Sequence, residues 1–204
     1  MTEDHLGRWS PLSLGELATL LQAAEFPWWV GGGWALDLFV GHQTRPHDDL
    51  DVNVLRRDQH AARRLLDGWD LHVAAGGTLR LFQPSDWLQP NDNDLWCRPA
   101  PTAPWALQLM LTDTNGERWV FRRNRAIRRP LAQISRRSPQ GLPYLAPEIQ
   151  LLFKANHPRP KDEADFQAVH PLLDQPSRRW LATALAATHP RHRWLAQLEG
   201  PTNV

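Results

Sequence analysis

Two aspartates, Asp49 and Asp51, have the type and spacing to do metal chemistry. They alternate with Leu50 and Val52, so on a β-strand both carboxylates would point to one face while the aliphatic side chains enter the core. Two carboxylates held this close repel each other unless a cation lies between them. Because oxygen-only ligands favour Mg²⁺, the pair predicts a magnesium site with Asp49 and Asp51 as its ligands.

A run of three glycines precedes this pair, at residues 31–33. It separates a short buried strand predicted at residues 28–30 from a helix predicted at residues 34–40. Backbone N–H groups at the start of a helix can face a phosphate. Taken alone, the glycines are equally typical of a tight turn, and paired aspartates are often solvated edge charges. Their combination indicates a phosphate cradle beside a metal pair.

The elements that must position these residues follow from periodicity, capping and turn residues. Ser13 and Glu16 form a capping box at the start of the first helix. Residues 83–104 and 122–137 are expected to be irregular, and residues 117–122 are expected to pair back on 105–111. We predict helices at residues 13–24, 34–40, 58–66, 147–154, 161–173, 177–187 and 192–198, and strands at residues 28–30, 50–55, 69–74, 78–82, 105–111 and 117–122.

This order predicts an α/β (α+β) fold, in which a small, mixed, twisted sheet carries the site and is flanked by helices. Residues 1–140 would form the core domain. Residues 141–204 would form a C-terminal helical region that completes the cleft.

Composition narrows the class of protein. Lys and Arg total 23 against 22 Asp and Glu, a net charge of +1 over 204 residues, which argues against a protein built to neutralise nucleic acid. Cys97 is the single cysteine, so no internal disulfide forms and a reducing compartment fits. The first residues lack a signal-peptide pattern, and no stretch is long enough to span a bilayer. We therefore expect a soluble cytoplasmic protein without a membrane partner.

Three motifs resemble a known family: GGGWALD at residues 31–37 followed by TRPHDDLD at 44–51, LPYLAPEIQLLFK at 142–154, and KDEADF at 161–166. Over roughly residues 13–175 the chain is similar to the small aminoglycoside and lincosamide nucleotidyltransferases of the DNA polymerase beta-like nucleotidyltransferase superfamily. The resemblance implies the nucleotidyltransferase fold and a Mg²⁺-dependent reaction. A nucleoside monophosphate, AMP from ATP, would move to a hydroxyl of a small acceptor, and pyrophosphate would be released.

The resemblance also implies roles for individual residues. Asp49 and Asp51 would hold Mg²⁺ beside the reacting phosphate. Asp37 is expected to orient a neighbouring group rather than to react. Four of the candidates below, Arg45 and His47 on the connector and the two lysines, could instead be solvated surface residues. The candidate nucleotide-binding residues are Gly32, Gly33, Trp34, Arg45, His47, Lys154 and Lys161.

One position departs from the family pattern, which has a third carboxylate on a later strand. The matching position here is Gln108, and glutamine offers a carbonyl oxygen but no base. A general base is typically worth about 10²–10⁴-fold in rate, so its loss need not abolish turnover. Asp113 or Glu117 could supply the base, the acceptor could need little activation, or the chain could bind nucleotide without turning it over. A different register of this strand is the remaining possibility.

The acceptor is left open by the sequence, as is the oligomeric state. A cationic aminoglycoside would need acidic side chains, for which Asp86, Asp92, Asp94 and Asp113 are candidates. An arginine cluster could face phosphate or solvent; it comprises Arg118, Arg122, Arg123, Arg125, Arg128 and Arg129. The alternatives to antibiotic modification are a nucleotide-binding or partner-binding module with weakened catalysis, and a nucleotidyltransferase that acts on protein or tRNA.

Overall fold

The computed structural model describes residues 6–200, and an eight-stranded mixed sheet forms its centre. The strands of this sheet are β1 (Trp28–Val30), β2 (Asp51–Leu55), β3 (Asp70–Ala75), β4 (Thr78–Leu81), β5 (Asp94–Arg98), β6 (Leu107–Thr112), β10 (Ser135–Arg137) and β11 (Pro143–Leu145). They lie in the order β10-β11-β1-β2-β6-β5-β3-β4. The β1–β11 and β2–β6 pairs are parallel, and the other pairs are antiparallel. The prediction of a mixed sheet is confirmed, but the sheet is larger than expected.

Helices pack around this sheet, as predicted. They are α1 (Leu14–Leu20), α2 (Gly32–Val40), α3 (Gln59–Leu65), α4 (Pro147–Lys154), α5 (Pro160–Val169), α6 (Gln175–Thr188) and α7 (Trp194–Glu199). The capping box of Ser13 and Glu16 is present at the start of α1. Gly41 ends α2 in the left-handed conformation, with φ +93°, which glycine adopts without a Cβ penalty.

The alternation around the aspartate pair is confirmed. Leu50, Val52 and Val54 are completely buried, so the opposite face of β2 is the one that carries Asp51 and Asn53. The C-terminal helices close over the glycine run because α2 packs against both α4 and α5.

Two segments predicted to be irregular contain strands. Residues 83–104 include β5, and residues 122–137 include β9 (Arg128–Pro130) and β10. Prolines flank β5 closely, and three consecutive residues at its centre, Leu95, Trp96 and Cys97, are all buried. A strand covered on both faces lacks the alternation that identifies a half-exposed strand.

The predicted hairpin of residues 117–122 with 105–111 is wrong. Strand β8 (Arg118–Val120) instead lies between β7 (Thr114–Asn115) and β9 in a separate three-stranded sheet. The physical reason is that both edges of β6 are already occupied, one by β2 and the other by β5.

The division at residues 140 and 141 stays a prediction. Strands β10 and β11 lie on opposite sides of that boundary, yet they are hydrogen-bonded neighbours in the central sheet. In the described part of the chain, no helix has the length and apolar character that a membrane crossing needs.

Candidate nucleotide site

A cleft of about 270 Å³ lies where the start of α2, the start of β2 and the helices α4 and α5 meet. It brings together side chains that are far apart in the sequence. The predicted site residues that line it are Gly32, Gly33, Arg45, Asp49, Asp51, Lys154 and Lys161. A larger groove, of about 1250 Å³, lies between α1 and the β10–β11 hairpin, but Glu117 is the one acidic residue among those that line it.

Gly32 holds the backbone against Asp51. Its φ is +61°, and a Cβ at this position would collide with the Asp51 carboxylate, so only glycine fits. The preceding Gly31 N–H donates to the Asp51 carbonyl oxygen at 2.8 Å. The Gly32 N–H donates to Gln150 Oε1 at 3.0 Å, a contact that individual sequence signals did not single out. Gln150 lies inside the 142–154 motif, which is the one signal that could have pointed to it.

Asp51 lies in surroundings that disfavour its negative charge. Burial is the main cause that raises its pKa to about 7, and the Asp49 charge raises it further, while Lys154 opposes the shift. Asp94 adds a smaller contribution in the same direction as Asp49. A bound cation would relieve both the burial cost and the repulsion.

The two carboxylates suit a magnesium ion that also contacts a phosphate. Among the described side chains, no cluster of three or more His, Cys, Asp or Glu could hold a metal. The acids that line the cleft are Asp49, Asp51 and Asp162, and Asp162 is paired with Lys154 and Arg159. Mg²⁺ is commonly held by one or two carboxylates together with substrate phosphates and water. The space left by the missing Cβ of Gly32 lies directly against the Asp51 carboxylate, and the donor set therefore fits Mg²⁺.

A buried hydrogen-bond network braces the other side of the glycine run. Asp37, which is 4% exposed, accepts from the Thr44 N–H at 3.1 Å and from the Thr44 hydroxyl at 2.6 Å. It also bonds His47 Nε2 at 2.5 Å. The His47 ring packs so closely on Gly33 that a Cβ there would collide with it. Asp37 thus orients its neighbours, as expected.

The structure places two candidate nucleotide-binding residues behind the cleft wall. His47 is 1% exposed at its side chain, and its ring centroid lies 4.7 Å from that of Trp34. Neither is among the residues that line the cleft. His47 Nδ1 and Trp34 Nε1 are both buried without a hydrogen-bond partner within the described chain. Of the two atoms, His47 Nδ1 is the one that lies against Gly33.

An ion-pair cluster connects the polar connector to α4 and α5. Arg45 donates to both oxygens of Asp165, at 2.8 and 2.9 Å. Lys154 Nζ lies 2.9 Å from Asp162 and 2.8 Å from Asp165. Burial by itself would raise the pKa values of both aspartates. Hydrogen bonds outweigh burial, and both pKa values are lowered. Arg159 and Lys154 donate to Asp162, and Arg45 and Lys154 donate to Asp165.

We expect Lys154→Met to lower the free energy of unfolding by about 3 kcal/mol, because Asp162 and Asp165 each lose one of two cationic partners and a hydrogen bond to a charged group contributes about 1.5–3 kcal/mol. A carboxyl whose folded-state pKa is depressed stabilises the fold above its ordinary pKa, and this stability is lost as the pH falls. The variant should therefore unfold in acid at a higher pH than the wild type. Urea unfolding at pH 7 and an acid titration followed by circular dichroism measure both effects.

Lys161→Met is the matched control, since Lys161 lines the same cleft but forms no ion pair with any side chain that the structure describes, whereas Lys154 forms two. Its stability should stay within about 0.5 kcal/mol of wild type. Equal losses in the two variants would contradict the assignment of Lys154 as the cation of this cluster.

Gln108 lies directly beside the aspartate pair. It is the register partner of Asp51 across β2 and β6, and its N–H donates to the Leu50 carbonyl oxygen at 2.9 Å. The structure thus brings Gln108 next to Asp51, while its match to the third carboxylate of the family pattern stays a prediction. The two acids considered as substitute bases follow the far end of β6: Asp113 pairs with Arg56 at 2.5 Å, and the Glu117 side chain is 83% exposed beside Arg57.

The arginine cluster is divided by the fold. Arg122 and Arg123 line the cleft, and Arg123 is fixed by donating to the Phe153 carbonyl oxygen at 2.7 Å. Arg129 instead pairs with the buried Glu148 at 2.5 Å. Of the six arginines, Arg122 and Arg123 are thus the two that line the cleft.

The acids considered for an acceptor pocket are likewise dispersed. Asp86 pairs with Arg80 at 2.8 Å, and Asp113 with Arg56. The Asp92 backbone carbonyl accepts from the same Arg56 at 2.7 Å. Asp94, on β5, is the member that lies on the strand next to Gln108.

Part of the chain is similar in sequence to a known family of antibiotic-modifying enzymes. Residues 13–75 match the family model for aminoglycoside-2''-adenylyltransferase. A 2''-aminoglycoside nucleotidyltransferase of Escherichia coli is 50% identical over 36 residues, which are 16% of this chain and 20% of that protein. One from Klebsiella pneumoniae matches to the same extent. The chain thus spans about a fifth of the length of the curated relatives it matches.

Two solved structures share the fold. The lincomycin-bound lincosamide antibiotic adenylyltransferase LnuA has a TM-score of 0.55 at 16% identity and covers 78% of this chain and 98% of its own. ANT(2'')-Ia in complex with adenylyl-2''-tobramycin has a TM-score of 0.55 at 14% identity and covers 85% of this chain and 95% of its own.

The fold is therefore that of the nucleotidyltransferases. The family-model match confirms the predicted resemblance to the aminoglycoside and lincosamide nucleotidyltransferase-like family, and its segment contains the glycine run and both aspartates.

Proposed function

We propose that the chain is a Mg²⁺-dependent nucleotidyltransferase that moves AMP from ATP to a hydroxyl of a small acceptor such as an aminoglycoside or a lincosamide. The observation that carries the proposal is the contact between Gly32 and Asp51. It puts a helix N-terminus, which favours phosphate, against a carboxylate pair that suits a divalent cation. A cytoplasmic location, where ATP is the available donor, belongs to the same proposal.

The residues of the cleft divide the work. The Gly32 and Gly33 backbone and the start of α2 would hold the triphosphate, with the Gly32 N–H exchanging Gln150 for a phosphate oxygen. Arg122, Arg123 and Lys161 supply positive charge around it, which fixes the orientation of the phosphates. Mg²⁺ held by Asp49 and Asp51 would neutralise charge that develops on the phosphates during in-line displacement.

The ion-pair cluster and the Asp37 network would act indirectly, by holding in place the residues that contact the nucleotide. Lys154 and Arg45 already have carboxylate partners, so they would shape the cleft and add to its potential. His47, fixed through Nε2 by Asp37, would keep the Gly33 backbone in place and could offer Nδ1 to a phosphate. Positioning of this kind accounts for much of the rate gain in phosphoryl transfer.

The test is a transfer assay with ATP labelled at the α-phosphate, Mg²⁺, and tobramycin, lincomycin, tRNA or a protein extract as acceptor. We expect label on one of the two antibiotics together with pyrophosphate release, and neither with an Asp49→Asn/Asp51→Asn double variant. Label on tRNA or protein alone would replace the acceptor in the proposal. Pyrophosphate release no greater than that of the double variant would exclude the enzyme.

Gln108 supports a second candidate, a nucleotide-binding module that has lost chemistry. Its position opposite Asp51 carries no charge and no base. This candidate predicts saturable binding of Mg–ATP without label transfer to any acceptor. Calorimetric titration alongside the transfer assay separates the two.

A further inference from the structure

Strand β5 brings a carboxylate to the face of the sheet that carries the site. Met110 on β6 is the register partner both of Asn53 on β2 and of Asp94 on β5. Side chains of directly opposed residues point to the same face of a sheet. Asp94 therefore shares a face with Asp51 and Gln108, one strand beyond the position where the family carboxylate is missing.

We propose that Asp94 is the general base of this site and replaces the carboxylate that Gln108 lacks. The inference rests on the proposed function, because a base is needed only if a hydroxyl is being activated. The base would thus lie on β5, whereas the family pattern places the corresponding carboxylate on β6.

The surroundings of Asp94 leave it available for this task. Its Oδ1 is buried without a hydrogen-bond partner in the described chain, whereas Asp113 and Asp162 are held by Arg56 and by Lys154. Asp94 does not itself line the cleft, but its register partner Met110 does, so Asp94 lies one strand away from the cleft wall.

The electrostatics of Asp94 agree with a proton acceptor. Burial raises its pKa above the usual aspartate range, although Arg122, the Gln108 side chain and Arg123 act against the shift. A carboxylate with a raised pKa is a stronger base. Arg122 and Arg123 also line the cleft, so the base would lie beside the phosphate-binding charges and not at a remote surface.

The step would run as follows in atoms and electrons. The acceptor hydroxyl oxygen attacks the α-phosphorus of ATP and forms a new P–O bond. The bond from that phosphorus to the bridging oxygen breaks, and its electron pair leaves with pyrophosphate. The hydroxyl proton passes to the Asp94 carboxylate and from there to solvent.

The test compares four proteins in the same assay with ATP, Mg²⁺ and either tobramycin or lincomycin: wild type, Asp94→Asn, Asp94→Asn/Gln108→Glu, and Asp67→Asn as a control on an exposed turn. Asp94→Asn should lower kcat by about 10²–10⁴-fold. The KM for ATP should stay within about twofold, since uniform binding is unchanged. Gln108→Glu in the same chain should restore at least about tenfold by returning a carboxylate to β6.

The possible results distinguish a failure of the role of Asp94 from a failure of the proposed transferase activity. An Asp94→Asn protein that keeps the kcat of Asp67→Asn would overturn the role of Asp94 and leave the transferase intact. A kcat loss that Gln108→Glu does not relieve, together with a lowered melting temperature, would show a structural role and overturn the inference as well. A wild type that transfers to neither acceptor removes the proposed function and this inference together.

Discussion

Asp51→Asn is expected to lower kcat/KM for nucleotidyl transfer by about 10³-fold and, at the same time, to stabilise the metal-free protein. A bound divalent cation contributes several kcal/mol to stabilising charge in the transition state, and a loss of about 4 kcal/mol corresponds to about 10³-fold in rate. The stabilising effect has a separate origin, because burial and the nearby Asp49 charge make an ionised Asp51 costly when no cation is bound to it.

The sign of the stability effect can be worked out from the raised pKa. Asp51 binds its proton more tightly in the folded than in the unfolded protein, so its contribution favours folding at low pH and is lost as the pH rises towards about 7. Asparagine carries no charge at any of these pH values. The variant should therefore melt higher than the wild type at pH 8 without metal, by about 2–4 °C for each kcal/mol relieved.

Differential scanning calorimetry with EDTA and with Mg²⁺ measures this effect. Mg²⁺ should raise the melting temperature of the wild type and leave that of Asp51→Asn unchanged, because ligands stabilise only the state that binds them. Asp67→Asn, an exposed aspartate outside the cleft, is the matched control. An Asp51→Asn protein that is inactive but also less stable at pH 8 would contradict the assignment of Asp51 as a metal ligand held under repulsion.

Gly32→Ala is expected to reduce both Mg–ATP affinity and turnover, with turnover lowered by about 10²-fold or more. The new Cβ would meet the Asp51 carboxylate, and displacement of a catalytic group by about 1 Å can cost about 10²-fold. The positive φ adds a backbone penalty of about 1–2 kcal/mol. Calorimetric titration with Mg–ATP and the labelled transfer assay read out the two losses.

The chain supplies a matched control for the conformational penalty of placing alanine at a positive φ. Gly76, in the β3–β4 turn, has φ +57°, close to the +61° of Gly32, but a Cβ there would meet nothing within 4 Å. Gly76→Ala should thus carry a similar conformational penalty and keep full activity. If Gly76→Ala and Gly32→Ala lose the same stability and the same activity, the crowding of Asp51 is not what makes Gly32 indispensable.

The sequence was sufficient to predict features that depend on residues close to each other along the chain. Alternation of Leu50 and Val52 with the aspartates fixed the faces of β2, and Gly41 fixed the end of α2, since each depends only on local geometry. Gln108 came to the site in another way, through the resemblance to the family pattern, and the alternation of β6 indicated only the face on which its side chain lies.

Tertiary contacts were beyond this reasoning. The bond from Gly32 to Gln150 joins residues 118 positions apart, and the motifs that contain them do not indicate that these two residues form a hydrogen bond. Strand β5 was missed because it is buried on both faces between prolines, and with it the position of Asp94. His47 was predicted to bind nucleotide, with a solvated loop position as the alternative, and its burial was not foreseen because it depends on Asp37 and Trp34 packing around it.

The most direct measurement is a crystal structure of the chain with a non-hydrolysable ATP analogue and Mg²⁺. The account predicts the triphosphate over Gly32 and Gly33, the Gly32 N–H turned from Gln150 to a phosphate oxygen, and a cation between Asp49 and Asp51. Nucleotide bound elsewhere, for example in the larger groove between α1 and the β10–β11 hairpin, with no cation at the aspartate pair, would contradict it.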